Sequence, residues 1–269
     1  MAGLEKQQYQ RLIDRLVSCG ATGLAVCYSG GVDSTLVMAA AQQAEIQPLL
    51  AITLVTPLHT AQEIALASEI AQQHSWQQQL IELDTLQLPQ VADNCHQRCY
   101  HCKKELYQAA WQAAWQAGIN ALADGCNADD MTVFRPGNQA AQELQVAHPL
   151  VEAGFTKEDI RCLAHKLGLT NWDRPATPCL ASRFPYHTHL EEKELRRVEA
   201  AELSLRQAGF SEFRLRVHGQ LVRLELPAAE MDRALRYRET LLQQLRGLGY
   251  HYITLDLEPF ASGSFDRRL

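Results

Sequence analysis

Apolar residues along the first two-thirds of the chain follow two spacings that alternate. Short apolar runs, typical of buried strands, are separated by stretches whose apolar positions recur every three or four residues, as in amphipathic helices. The predicted strands span residues 24–28, 49–55, 79–83 and 121–124. Helices are predicted before the first strand, from 36 to about 44, and at 60–73, 103–117 and 157–167. This order predicts an α/β fold, a doubly wound parallel sheet with helices on both faces.

The last third of the chain has a different pattern. Three prolines between residues 171 and 189 exclude a regular helix there. Beyond them we predict a helix at 190–207, a hairpin of runs 213–217 and 221–226 with its turn at His218-Gly219, a helix at 228–245 and a strand at 252–257. The domains predicted are therefore 1–170 for nucleotide binding, an active-site loop at 171–189, and a smaller α+β domain at 190–269 for substrate binding or oligomerisation. Its polar tail from Ala261 is expected to fray.

Composition excludes several classes of protein. The 269 residues are 46% hydrophobic and 21% charged, as in ordinary globular proteins. A net charge of −6 argues against binding nucleic acid through bulk electrostatics. Because no apolar run could span a bilayer and no signal peptide is evident, we expect a cytoplasmic protein without a membrane partner. In that reducing compartment, the eight cysteines point to metal, cluster or redox chemistry and not to disulfides.

The loop after the first strand, Y-S-G-G-V-D-S-T at 28–35, is typical of a phosphate site. A glycine turn at a helix start directs backbone N–H groups at an anion and lets it approach closely. A carboxylate there is unfavourable unless a cation bridges it to phosphate oxygens, so Asp33 implies Mg²⁺. The pattern is not G-x-x-x-x-G-K-[ST]. It resembles the S-G-G-x-D-S loop of the PP-loop ATP pyrophosphatases. The binding residues predicted in it are Ser29, Gly30, Gly31, Asp33 and Ser34.

A second polar turn, D-G-C-N-A-D-D at 124–130, follows a predicted strand at the same edge of the sheet. Gly125, Asn127 and Asp130, with Asp129 beside them, could contact the nucleotide and Mg²⁺ through amide and carboxylate groups. The alternative is an ordinary polar turn between strand and helix.

The cysteines divide into two kinds. Four stand singly among apolar or small neighbours, as structural cysteines do; these are Cys19, Cys27, Cys126 and Cys162. Cys99 and Cys102 form a C-x-x-C, with Cys95 four residues before it. Such a pair suits half a zinc site, a redox pair or an iron–sulfur ligand pair.

Cys179 is the best candidate to complete that set. It lies between residues 172 and 183, where flanking prolines keep the loop from becoming helical. Arg174 and Arg183 bring positive charge that favours a thiolate and an anionic ligand. A buried packing cysteine is the alternative.

Arginines of the predicted hairpin are candidate substrate ligands. Period two places Arg214 and Arg216 on one face, where both could hold a phosphate or carboxylate, with Glu225 on the adjacent strand. A solvated, charged strand edge would have the same pattern.

Five segments together resemble the LarE family of PP-loop sulfur transferases, over nearly the whole chain. They are S-G-G-V-D-S, R-C-Y-H-C-K-K-E-L-Y, D-G-C-N-A-D-D, P-A-T-P-C-L-A-S-R-F-P-Y and R-L-R-V-H-G-Q-L-V-R-L-E. The resemblance implies sulfur insertion into pyridinium-3,5-biscarboxylic acid mononucleotide, a small-molecule nucleotide, during assembly of the nickel-pincer cofactor of lactate racemase. ATP would adenylate a carboxylate with release of pyrophosphate, and sulfur would displace AMP to leave a thiocarboxylate.

The resemblance also implies roles for particular residues. Asp33 would act with the loop on pyrophosphate and Mg²⁺, and Cys179, or sulfur bound beside it, would attack the activated carbonyl. The substrate would be held by Arg183, Arg214, Arg216 and Glu225. The family has two sulfur sources, a sacrificed loop cysteine and a 4Fe-4S cluster that carries an extra sulfide from a sulfide or other sulfur donor. The C-x-x-C favours the cluster form, with Cys99, Cys102 and Cys179 as ligands, and zinc is the runner-up. We also expect a homo-oligomer.

Three other functions compete with this one. A tRNA thiolase of the same fold is disfavoured by the acidic charge and by the lack of an evident RNA-binding module. A catalytically silent nucleotide sensor or iron–sulfur scaffold would not need Asp33. An amidating ligase that uses ammonia would not need cysteines near the site.

Overall fold

The computed structural model describes residues 3–132, 136–175 and 177–260. Contacts divide the chain into two compact units. The first comprises Met1–Leu88 and Gln97–Thr177, and the second comprises Pro89–His96 and Pro178–Leu269. The domain limits and functions predicted from the sequence stay a prediction, and the tail from Ala261 lies outside the described residues.

A parallel sheet forms the centre of the first unit. Its strands are β1 (Leu24–Cys27), β2 (Leu49–Val55), β3 (Gln77–Glu82) and β4 (Leu122–Ala123), and the order is β3-β2-β1-β4. All three neighbouring pairs are parallel. The predicted α/β fold with a parallel sheet is confirmed, and β3 begins two residues before its predicted start.

Helices cover both faces of this sheet. They are α1 (Gly3–Cys19), α2 (Val32–Gln43), α3 (Ala61–Gln73), α5 (Arg98–Gln116), α6 (Pro136–Glu143), α7 (Pro149–Glu152) and α8 (Lys157–Lys166); α4 (Pro89–Ala92) belongs to the second unit. On β1, Leu24 and Val26 belong to a buried cluster that includes residues of α1 and α2. Ala25 points the other way and joins Tyr107 and Ala110 of α5. This alternation explains why a strand buried on both faces is a continuous apolar run.

The second unit holds a three-stranded sheet. Its elements are α9 (Glu192–Gln207), β5 (Arg214–His218), β6 (Leu221–Glu225), α10 (Ala228–Arg236), α11 (Arg238–Gly247) and β7 (Tyr252–Leu255). The order is β5-β6-β7, with β5 antiparallel and β7 parallel to β6. A small α+β unit was predicted here and is observed.

Two local predictions in this unit were wrong. The hairpin turn is Gly219-Gln220 and not His218-Gly219, because His218 pairs with Leu221 and the positive φ of 63° falls on Gly219. The single helix predicted at 228–245 is broken at Tyr237, which ends α10 and begins α11. No glycine or proline marks this break, so apolar spacing alone could not locate it.

None of the helices in the described ranges is long and apolar enough to cross a membrane.

Candidate functional site

The loop between β1 and α2 is built for close approach to an anion. Gly30 has a φ of +72°, and a Cβ added there would lie 2.7 Å from the Cα of Ala67, so only glycine fits. The hydroxyl of Ser34 donates to the carbonyl of Gly31 at 3.1 Å and accepts from the backbone N–H of Ser29 at 3.3 Å. The loop is therefore closed onto the first turn of α2, where the positive helix end favours a phosphate.

Asp33, in that first turn, has one paired and one unpaired oxygen. Its Oδ2 accepts a hydrogen bond from Lys157 Nζ at 2.5 Å. Its Oδ1 is buried and has no hydrogen-bond partner among the described residues. Burial raises the pKa of Asp33, and the positive charge of Lys157 opposes that shift. A buried carboxylate oxygen beside a phosphate cradle suits Mg²⁺, which uses one or two carboxylates together with substrate phosphates.

The second predicted segment lies directly against this loop. A Cβ added to Gly125 would come within 2.7 Å of the backbone nitrogen of Ser34. Glycine at this position therefore lets the turn after β4 touch the start of α2. The structure thus brings together the two polar turns that the sequence placed at one edge of the sheet.

A buried carboxylate fixes that second turn. Asp124 Oδ2 accepts from the hydroxyl of Tyr107 at 2.6 Å, and its Oδ1 accepts from the backbone N–H of Cys126 at 2.9 Å and lies 2.6 Å from His148 Nδ1. Burial alone would raise the pKa of Asp124, but the hydrogen bond and charge of His148 outweigh it, and the pKa is lowered. Tyr107 is also buried, and its burial and the negative charge of Asp124 raise the pKa of its hydroxyl. Asp124 is therefore ionised and holds the turn in place.

Asn127 and Asp130 cap their own turn. Asn127 Oδ1 accepts from the backbone N–H groups of Asp129 and Asp130 at 3.0 and 3.2 Å. Asp130 Oδ2 accepts in return from the N–H of Asn127 at 3.2 Å. These oxygens shape the turn, and direct contact of the two side chains with a nucleotide stays a prediction.

Two residues at this site were missed from the sequence. Lys157, the first residue of α8, pairs with Asp33 across 124 positions of the chain. Asn171 is 1% exposed, and its amide donates to the carbonyl of Gly30 at 2.8 Å and to the hydroxyl of Thr35 at 2.9 Å. No local motif marks either residue, although a lysine directly after the N-cap Thr156 is a weak signal, since the positive helix end disfavours it.

Cys99 and Cys102 lie in the first turns of α5. A guanidinium nitrogen of Arg98 is 3.6 Å from the sulfur of Cys99. Sulfur from cysteine is a ligand for both iron–sulfur clusters and zinc, so the donor chemistry fits either. Among the described residues, however, no three His, Cys, Asp or Glu side chains form a group that could hold a metal ion. Cys179 lies in the other unit, so its convergence with this pair stays a prediction.

Cys179 is the N-cap of a short 3-10 turn, Leu180–Arg183, in the second unit. The turn is held by Arg183, which is 1% exposed and pairs with both carboxylate oxygens of Glu202 at 2.8 and 2.9 Å. Its remaining terminal nitrogen donates to the carbonyls of Pro178 and Cys179 at 2.6 and 3.2 Å. The guanidinium thus positions the cysteine loop, whereas a direct contact with substrate stays a prediction.

Arg216 and Glu225 form a second buried ion pair at the same turn. Arg216 Nε donates to Glu225 Oε1 at 3.0 Å, and Arg216 Nη1 donates to the carbonyl of Ser182 at 2.6 Å. Arg223 also donates to Glu225, at 2.9 Å. These two predicted substrate residues therefore already fasten the 3-10 turn to the sheet, and their binding of substrate stays a prediction.

Arg214 is the arginine of this group that remains available. Within the described residues, no hydrogen bond or ion pair engages its guanidinium, which lies over the ring of Phe260 at 5.5 Å. Burial, and to a lesser extent the charge of Arg183, lowers the pKa of Arg214 to about 10. The charge of Glu202 opposes this shift. An anionic ligand would relieve this repulsion, as a phosphate or carboxylate does at an arginine cluster.

Known proteins are similar to this chain both in the region of the phosphate loop and over most of its length. A family model described as asparagine synthase matches residues 15–116, which include the phosphate loop and the C-x-x-C. The pyridinium-3,5-bisthiocarboxylic acid mononucleotide synthase of Lactiplantibacillus plantarum is 36% identical over 247 residues, which is 91% of this chain and 90% of that protein. An uncharacterized protein of Synechocystis is 38% identical over 91% of this chain and 92% of its own length. Another, from Methanocaldococcus jannaschii, is 25% identical over 89% of this chain and 91% of its own length.

Proposed function

The chain belongs to the LarE family of ATP-using PP-loop sulfur transferases, and we propose that it converts a carboxylate of pyridinium-3,5-biscarboxylic acid mononucleotide to a thiocarboxylate, in nickel-pincer nucleotide biosynthesis. The relative from L. plantarum carries the name of the bisthiocarboxylic product, and the identity extends over 91% of this chain. The observation that carries the proposal is the glycine cradle at the start of α2 with one buried oxygen of Asp33 left unpaired.

The first step activates the carboxylate. A substrate carboxylate oxygen attacks the α-phosphorus of ATP, the bond from that phosphorus to the bridging oxygen breaks, and pyrophosphate leaves with the electron pair. The N–H groups of Gly30 and Gly31 and the start of α2 offset the charge that develops on the leaving group. Asp33 would hold Mg²⁺, which would supply positive charge beside the phosphate oxygens.

The second step forms the carbon–sulfur bond. The acyl adenylate is a good electrophile because AMP is a good leaving group, and sulfur at Cys179 displaces AMP. Arg183 and Arg216 keep the turn that begins at Cys179 in place through their buried ion pairs. Arg214 holds the phosphate or the second carboxylate of the substrate.

The transferred sulfur could come from either of two sources, and we favour an iron–sulfur cluster. Cys99, Cys102 and Cys179 would hold a 4Fe-4S cluster, which when bound supplies the sulfide to be transferred. The alternative uses Cys179 alone. Its thiolate attacks the carbonyl and expels AMP, and then removal of the Cα proton breaks the Cβ–S bond and leaves a thiocarboxylate and dehydroalanine.

The function is tested with protein reconstituted anaerobically with iron and sulfide and then given ATP, Mg²⁺ and the pyridinium dicarboxylate mononucleotide. We expect pyrophosphate, AMP and a product in which one oxygen is replaced by sulfur, measured by mass spectrometry. Cys179→Ser should release pyrophosphate without forming this product, whereas the matched control Cys162→Ser, at an exposed single cysteine, should keep both activities. Pyrophosphate release that depends on tRNA and not on the mononucleotide would instead identify a tRNA thiolase.

The sulfur source is tested separately by Mössbauer and EPR spectroscopy of the reconstituted protein. We expect a 4Fe-4S signal that Cys99→Ser and Cys102→Ser abolish and Cys162→Ser retains. A protein that binds no iron, yet loses the mass of H₂S from Cys179 in each turnover, would rule out the cluster and leave the sacrificial route.

A further inference from the structure

Lys157 is held firmly at the phosphate loop, although the helix that carries it gains nothing from its charge. As the first residue of α8, it places a cation at the positive helix end, which is unfavourable. Its backbone N–H donates to Asp129 Oδ2 at 2.8 Å, and Thr156 before it closes a capping box with Asp159. The backbone of Lys157 is therefore held by its own N–H and by the capping box around it, and its ammonium reaches back to Asp33.

The ammonium of Lys157 binds the carboxylate that would otherwise bind a metal ion. Lys157 Nζ lies 2.5 Å from one oxygen of Asp33, while the other oxygen is buried without a partner among the described residues. The side chains are only 28% and 21% exposed, so this is not a solvated surface pair. Because the ammonium pairs with only one oxygen of Asp33, the other oxygen still lacks a hydrogen bond or a cation from the described part of the chain.

The protein groups facing Asp33 provide few ligands for a divalent cation. The charges that act on Asp33 are Lys157 and Arg161 of α8 and the carboxylate of Asp130. Within the described ranges, no group of three His, Cys, Asp or Glu residues could hold a metal ion. Mg²⁺ would therefore take most of its ligands from phosphate and water, so its tight binding would require the nucleotide.

We propose that Lys157 is a placeholder cation that couples metal binding to nucleotide binding. Without nucleotide, its ammonium fills the position beside Asp33 and repels a divalent cation. When ATP binds, the ammonium moves to a non-bridging phosphate oxygen of the leaving pyrophosphate, and Mg²⁺ takes Asp33. The ammonium offsets charge on the leaving group, and adenylation itself transfers no proton. The inference rests on the ATP-binding part of the proposed function and not on the identity of the acceptor.

The test compares Mn²⁺ binding and ATP binding in Lys157→Met and in the unchanged protein, without any pyridinium substrate. Mn²⁺ alone, followed by EPR, should bind about tenfold tighter to the variant, because an ammonium a few ångströms away repels a divalent cation by several times the thermal energy. ATP in the presence of EDTA, followed by calorimetry, should bind about tenfold to a hundredfold more weakly, since a charge-assisted hydrogen bond is lost. A lysine with a purely structural role would not shift the two affinities in opposite directions.

Three controls keep the test decisive. Lys157→Arg retains the charge and should bind Mn²⁺ alone as weakly as the unchanged protein. Lys166→Met, at an exposed lysine in the last turn of the same helix, should change neither affinity. Lys157→Gln, with melting curves for each variant, repeats the comparison if the methionine variant is unstable. Unchanged or weaker Mn²⁺ binding in both neutral variants, or unchanged ATP binding, would overturn the inference. Because no acceptor is present, failure of the proposed substrate leaves this result unaffected.

Discussion

Arg183→Met should destabilise the second unit and release the loop that carries Cys179. The change removes two hydrogen bonds to Glu202 and the hydrogen bonds to the carbonyls of Pro178 and Cys179. Methionine fills much of the same space, so the effect comes mainly from lost polar contacts and not from a cavity.

The magnitude follows from burial. Arg183 and Glu202 have side chains only 1% and 4% exposed, so the variant leaves a buried carboxylate without its main partner. Breaking a buried pair in this way costs about 3–5 kcal/mol. Arg206 lies 3.9 Å from Oε2 of Glu202, and its charge offsets part of the loss of Arg183. We therefore expect about 3 kcal/mol, a large share of the roughly 5–15 kcal/mol that stabilises a domain.

The assay must separate the two units. All four tryptophans, at positions 76, 111, 115 and 172, belong to the first unit, so their fluorescence does not report directly on the second. Far-UV circular dichroism in guanidinium chloride, together with hydrogen exchange of α9, follows the second unit. Alkylation of Cys179, resolved by peptide mass spectrometry, should be faster in Arg183→Met because the turn is no longer held.

The double variant Arg183→Met/Glu202→Leu decides whether the buried pair is the cause. Replacing both partners by apolar groups should recover most of the loss, to within about 1–2 kcal/mol of the unchanged protein. Arg238→Met is the matched control, since Arg238 forms an exposed pair with Glu239 at the start of α11 that is worth about 0–1 kcal/mol. The buried ion pair is not the cause if Arg183→Met costs no more than this control, or if the double variant is no more stable than the single one.

Three further predictions concern the first unit. Asp124→Asn should cost about 2–3 kcal/mol at neutral pH, measured by denaturant unfolding. Although burial opposes it, His148 lowers the pKa of Asp124 in the folded protein below its ordinary value of 3.8. The resulting stabilisation is present above that pH and is lost as pH falls through the folded pKa. The free energy of unfolding of the variant should therefore change less with pH over that range. Gly125→Ala should cost about 1–3 kcal/mol by overpacking and weaken ATP binding in calorimetry, because the new Cβ would meet the Ser34 backbone at 2.7 Å; an unchanged melting temperature would contradict this contact. Asn171→Ala should raise the KM for ATP at least several-fold with a smaller change in kcat, since two hydrogen bonds to the phosphate loop are lost; an unchanged KM would exclude a positioning role.

Much of the fold could be predicted from the sequence because its signals are local. The β2 limits, 49–55, agree with the prediction, since a strand buried on both faces is a continuous apolar run bounded by turns. Helix α8 begins at Lys157 as predicted, and Thr156 caps it, because a capping hydrogen bond depends on residues within one turn. The break at Tyr237 was missed, since no residue type there signals the end of a helix.

The candidate site divides in the same way. The phosphate loop and its glycines follow from sequence because φ > 0 and close backbone approach demand glycine at particular positions, as at Gly30. What the arginines do could not be read from their spacing. Period two predicts Arg214 and Arg216 on one face, but only the packed unit distinguishes the arginine held by Glu225 from the one left available.

The sequence by itself determined the α/β order, the ATP-cleaving loop and the family, because each rests on residue types at short, fixed spacings. Only the tertiary structure decided which side chains complete the site. Lys157 reaches Asp33 across 124 positions and Asn171 reaches Gly30 across 141, separations over which no periodicity or motif acts. Such pairs form only when the helices pack on the sheet, since burial and charge then select one partner among the many that the chain offers.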